Sequence, residues 1–203
     1  MHPNRAFAWT DAAAMRAFIA ETAFAHLFLA TADGPLVAHA PVIVTDAGDL
    51  RFHLALGNRL TRHLDGSVLL ASIAGADFYV SPDWYGREDQ VPTWDYLAVE
   101  ASGPVRRLDE AGLLDQIERL SFAHEQRLAP KKPWHHSKMD PVILGRMVRG
   151  IAGFEMQVTS LNGTIKLSQN KPASDLAGVV AALAALGRQR EADLVAQANP
   201  GKC

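Results

Sequence analysis

The chain has 203 residues, 48% hydrophobic and 21% charged, enough to bury a core and too apolar for disorder. Its formal net charge of −2 gives no basic footprint for nucleic acid or an acidic membrane surface. No apolar run is long enough for a membrane helix, and the N-terminal residues do not read as a secretion signal. The one cysteine, Cys203, leaves no internal disulfide and no cysteine-based metal site. The expectation is a cytoplasmic protein with one domain over residues 1–203 and a C-terminal helical segment from about 174.

In chain order, Thr10 is placed to cap a helix running to about Thr22, with Met15, Phe18 and Ile19 on one side. Strands follow at 24–31, 36–45 and 50–56, separated by Asp/Gly turns, so the chain opens as a helix and a β-meander. A loop entering a short helix covers 57–64. Further strands are expected at 67–73, 77–81 and 96–108, the last bent near Gly103-Pro104. Asp109 caps a helix with Leu113, Leu114, Ile117 and Leu120 inward. Residues 128–139 are a polar loop, and Asp140-Pro141 opens a helix to about Gly150. A strand at 151–161, a hairpin turn at Asn162-Gly163 and a return strand at 164–168 come next. A helix starts at Ser174-Asp175 and stops at Gly187, and 188–198 form another amphipathic stretch. Six to eight short strands with inserted helices predict a closed or split antiparallel barrel in the α+β, mainly β class.

Chemistry concentrates in a few places. The segment from Phe78 to Tyr96 holds two of the four Trp and all three Tyr. It reads either as cover for a β core or as a wall for a planar ligand or second subunit. Alternation puts His39 on one face with Val37, Pro41 and Ile43. His39 and His53 read as core histidines or as donors to a ligand's polar edge. Asn58, Arg59, Arg62 and His63 form a compact cationic cluster at a strand end, suited to a phosphate or to a solvated turn. Lys166, Ser168, Gln169 and Asn170 offer a cation, a hydroxyl and two amides, for a ligand or for a polar turn. His135-His136 invites a metal. Adjacent residues on an extended chain diverge, however, and no acid or thiol spacing completes a site, so none is expected. Glycine-rich phosphate loops and a recognisable catalytic triad are missing, so no catalytic residue is named.

Six stretches, VAHAPVI, FHLALGN, YVSPDWY, VPTWDY, GFEMQV and KLSQNK, occur here in the order seen in one family. The chain resembles the PaiB family of FMN-binding split-barrel proteins, usually named negative transcriptional regulators. The resemblance implies a split β-barrel related to the pyridoxamine-phosphate-oxidase and flavin-reductase folds. It also implies FMN at a homodimer interface, with both subunits lining each site. The pattern is carried by His39, Pro41, His53, Asn58, Ser81, Pro82, Trp84, Tyr85, residues 91–94, Tyr96 and residues 166–170. Four positions depart from it: Ala38 replaces a hydroxyl residue, Arg59 a proline, Asp77 lies where the family has a histidine nearby, and Asp95 replaces an asparagine.

On that resemblance, Arg59, Arg62 and Lys166 would hold the phosphate, and Trp84, Trp94 and Tyr96 would form the wall. His39, Asn58, Gln169 and Asn170 would meet the ring edge, and His53 and Ser168 complete the expected cofactor set. Two functions compete: a regulator, and an FMN-dependent oxidoreductase taking hydride from a reduced nicotinamide. A barrel that has lost FMN and binds haem or nothing is a third. DNA as a partner comes from the family label alone, since no helix-turn-helix is recognisable.

Overall fold

The structure is a computed structural model that describes residues 2–202; Cys203 lies outside the described residues. Where the sequence reads as one domain, the described chain falls into two compact units: residues 11–73 with 100–161, and residues 2–10, 74–99 and 162–202.

The first unit is built on a strand ring. Strands β2 (Phe24–Thr31), β3 (Gly34–Val44) and β4 (Leu50–Ala55) form the meander, and β4 pairs with β7 (Ile151–Met156). The strand β5 (Val68–Val80) pairs with β2, and β6 (Thr93–Arg107) pairs with β7. Val105 and residues 66–67 exchange backbone hydrogen bonds, so β6 returns to β5 and the six strands close into an antiparallel barrel. Alternation decides what fills it. Ala25, Leu27 and Leu29, then Leu50, Phe52 and Leu54, then Phe154 and Met156 are all buried. The helix α1 (Ala12–Thr22) precedes β2, and α2 (Thr61–Leu64) follows β4. The helices α3 (Glu110–Glu125) and α4 (Pro141–Val148) separate β6 from β7.

In the second unit β1 (Ala8–Trp9) pairs with β8 (Ser160–Lys166). The helices α5 (Ala173–Ala185) and α6 (Gln189–Ala198) pack a core of Phe78, Tyr85, Leu167, Leu176, Val179 and Val195. Gly187, at φ 74, supplies the left-handed residue that ends α5.

Several expectations need correction. Asp11 rather than Thr10 caps α1, because its carboxylate accepts from both the Ala13 and Ala14 amides. The two strands expected at 67–73 and 77–81 are one strand, β5. Asn162-Gly163 is no hairpin turn: Gly163 pairs with Trp9 inside β8. The chain does not reverse before it either: past β7 the Gln157 and Thr159 amides donate to the Pro104 and Ser102 carbonyls, so it runs on beside β6 into β8, which also neighbours β6. That approach is why residue 103 is glycine, since a Cβ there would lie 1.7 Å from the Gln157 oxygen. α5 begins at Ala173, one residue before the expected Ser174-Asp175, and Asp175 lies in its first turn, buried against Arg87.

A similar contact anchors the aromatic segment, for a Cβ on Gly178 would lie 2.0 Å from the Trp84 carbonyl oxygen. Gly178→Ala must push α5 away and is expected to cost about 1–3 kcal/mol in urea unfolding. Gly145→Ala on α4, where the nearest atom is an arginine terminus at 3.5 Å, is the contrast and should cost nothing measurable.

Candidate functional site

The aromatic segment leaves β5 through a 3-10 turn, Pro82–Tyr85, capped by Ser81 and released by Gly86 at φ 58. The turn drives Tyr85 into the core and leaves Trp84 half-buried. Arg87 then grips the wholly buried Asp175 with three hydrogen bonds, at 3.1, 3.1 and 2.6 Å. Trp94 stays exposed, edge-on to Tyr79 at 6.3 Å, and Tyr96 is half-buried in β6.

Asp95 points the other way and has no exposed surface. Its Oδ2 accepts from Ser168 Oγ at 2.7 Å, and its Oδ1 lies 3.5 Å from Lys166 Nζ. Ser168 reaches this place only in the left-handed conformation, φ 60. The Lys166 ammonium also donates to Thr93 Oγ1 at 2.6 Å and to the Trp94 carbonyl. Burial pushes the Asp95 carboxyl above its ordinary 3.8, and the bonds from Ser168 and Lys166 oppose that without cancelling it. Burial likewise pushes the Tyr85 phenol upward, and the Ser168 hydroxyl opposes this.

So the aromatic segment and the 166–170 turn do meet, and they meet within one chain. Lys166, however, is spent on three acceptors of the chain itself, which corrects its expected role against a phosphate. Gln169 is spent too: its Oε1 accepts from the Leu167 amide and its Nε2 donates to the Ile165 carbonyl. Asn170 remains exposed at the rim. Phe7, Tyr85, Thr93, Asp95, Lys166 and Ser168 help to wall a cavity of about 230 Å³ here. Ligand cavities usually start near ~300 Å³.

The other unit holds the remaining predicted residues. His39 is exposed on the outer face of β3, directly across from His26 of β2, with their Nδ1 atoms 2.7 Å apart. One of the two must carry the proton and donate. In the same outward phase, Ser72 pairs with His26, Leu70 with Phe28, and Phe28 with Val37. Phe24, Phe28, Val37 and Leu70 are 48, 43, 49 and 37% exposed. His53 is half-buried, with Nδ1 at 3.2 Å from Oε1 of the buried Gln116 on α3. Burial lowers its pKa from 6.5, and Gln116 opposes this. Asn58 folds its side chain back to accept from the Leu60 amide, and its carbonyl accepts from Thr61 N. α2 has only four residues, so the expected cradle of free helix amides is not formed. Arg62 donates to His63, while Arg59 is exposed and has no partner among the described residues.

Sequence reasoning missed His26, Asp95, and the Arg87–Asp175 pair. His26 was within reach, because a reversal at Ala32-Asp33 that pairs 31 with 34 also pairs 26 with 39.

The closed antiparallel barrel with helices inserted between its strands is the split-barrel fold. Residues 1–160 match the family model described as "Putative FMN-binding domain", and the chain belongs to that family. FMN is its cofactor. The turn at 166–170 lies beyond the matched residues. A relative in Bacillus subtilis (strain 168), "Protease synthase and sporulation protein PAI 2", is 28% identical over 184 residues, 89% of this chain and 87% of that protein. Two solved structures show the fold alone. The flavocytochrome Anf3 from Azotobacter vinelandii has a TM-score of 0.59 at 14% identity, covering 81% of this chain and 72% of that one. The FAD and heme binding protein from Mycobacterium smegmatis has 0.58 at 10%, covering 78% and 73%.

Lys166→Ala is expected to cost about 3 kcal/mol, because it strands a buried carboxylate. The cost depends on pH in a defined direction. Between 3.8 and the raised folded value the folded chain holds more proton on Asp95 than the unfolded chain, so stability falls as pH rises through that window, above which Asp95 is the carboxylate that Lys166 answers. Removing the lysine moves that folded value further up. Urea midpoints of the variant should therefore fall further below wild type at about pH 8 than at about pH 5.

Proposed function

We propose that the chain binds FMN as a homodimer of the PaiB type, with a second copy covering the outward face of β2, β3 and β5. The observation that carries this is the face itself: four apolar side chains in register around a histidine pair, all left exposed. Contiguous exposed apolar surface of this kind marks an interaction site. FMN asks for a cation at its phosphate, an apolar slot and a few polar contacts at the ring edge. Arg59 offers the first, Phe24, Phe28 and Val37 the second, and the His26–His39 pair the third. The chemistry of these donors fits FMN. The enclosure is what a single chain lacks, and the second copy would supply it.

The role of such a protein is regulatory in this reading, which rests on the resemblance to the PaiB family, to which the Bacillus relative "Protease synthase and sporulation protein PAI 2" is the curated counterpart. A second reading, an FMN-dependent oxidoreductase, is favoured by the slightly acidic net charge, which suits no DNA surface. When bound, FMN supplies the electron-transfer chemistry, and this chain positions and shields it.

Arg59→Ala should weaken FMN binding roughly tenfold or more, the worth of a charge-assisted hydrogen bond, in a flavin-fluorescence titration. Unchanged affinity would remove the phosphate assignment. Oxidation of NADH or NADPH by the FMN-loaded protein selects the oxidoreductase. Retention on DNA at physiological salt without turnover selects the regulator.

A further inference from the structure

The His135-His136 pair does not diverge as an extended dipeptide would. His135 is extended, at φ −137 and ψ 146, and its Nδ1 accepts from the Ser137 amide. That contact opens a 3-10 turn, His136–Lys138, and the two rings finish with centroids 4.1 Å apart. Glu118 of α3 faces them, with Oε1 at 3.0 Å from His136 Nδ1. One ligand atom from each of the three residues lies within 4.8 Å of the other two.

A second carboxylate on the same helix face holds this arrangement. Glu125 lies seven residues after Glu118, about two helical turns. It accepts from the Trp134 amide at 2.8 Å and from the Lys131 ammonium. One glutamate of α3 therefore clasps the loop, and that clasp sets the next two residues over the other glutamate.

We propose that Glu118, His135 and His136 form a site for a divalent ion of the zinc class. Two imidazoles and one carboxylate are donors that zinc accepts, and three protein ligands leave the fourth tetrahedral position open. Metal–ligand bonds near 2.0–2.1 Å put tetrahedral donors about 3.3 Å apart. Rotamer changes in these mostly exposed side chains can close 4.8 Å to that. The donor set excludes magnesium and calcium, which demand oxygen ligands. Bound metal would pin the 128–139 loop to α3. The site is separate from the flavin face and does not depend on the flavin reading.

The test is a calorimetric titration of zinc into the untagged full chain, with and without FMN. It should show saturable binding of one ion per chain, and zinc should slow tryptic cleavage after Lys138. His135→Ala, His136→Ala and Glu118→Gln should each weaken binding roughly tenfold or more. His124→Ala, on the same helix, should leave it unchanged. No saturable binding overturns the site, as does zinc binding that survives the double replacement of both histidines.

Discussion

Closing six strands into a ring consumes the inner face of every strand, and this constraint governs where function can lie. Leu27, Phe52, Phe154 and their neighbours fill the barrel, so no ligand can enter it. Whatever the chain binds must lie on an outer face. Over β4 and β7 that face is occupied by α3, through Asp115 on Arg51, Gln116 on His53 and Leu113 over Gly153. Over β2, β3 and β5 the outward side chains are left to solvent. Covering the exposed part of each phenylalanine there is worth about 1–2 kcal/mol, so the face has a real drive to find a partner.

The other unit obeys a different constraint. A carboxylate with no exposed surface must be answered by donors, and Asp95 is answered by Ser168 and Lys166. This explains why the conspicuous Lys-Leu-Ser-Gln-Asn turn is held so firmly. Its lysine, its serine and its glutamine all complete bonds within the chain. The turn works here as a clasp between β6 and the start of the C-terminal helices. Arg87 and Asp175 repeat the logic one layer away, tying the tip of the aromatic segment to α5.

Much of this was legible before any coordinates. Period-two alternation marked the strands, and Asp109, Asp140 and Gly187 marked helix ends by the backbone groups they satisfy or the conformation they permit. The barrel class followed from strand count and from the absence of strand–helix alternation. What failed was local signal overruled by tertiary pairing. Asn162-Gly163 has the composition of a tight turn, but β1 pairs across it, and a two-residue strand is too short to foresee. The polar residues of the 166–170 turn looked free, because nothing local says that Asp95, in an aromatic run, will be buried beside them. His135 and His136 were dismissed on extended geometry, which one 3-10 turn changed.

The central claim is that the exposed β2–β3–β5 face is covered by a second copy of this chain and that flavin is retained by the pair. Light scattering on a size-exclusion column, with flavin absorbance recorded on the same peak, tests both parts at once. The account predicts a mass twice the chain's 22.0 kDa, with flavin eluting in that peak after free FMN is removed. A monomer that carries tightly bound flavin would contradict it.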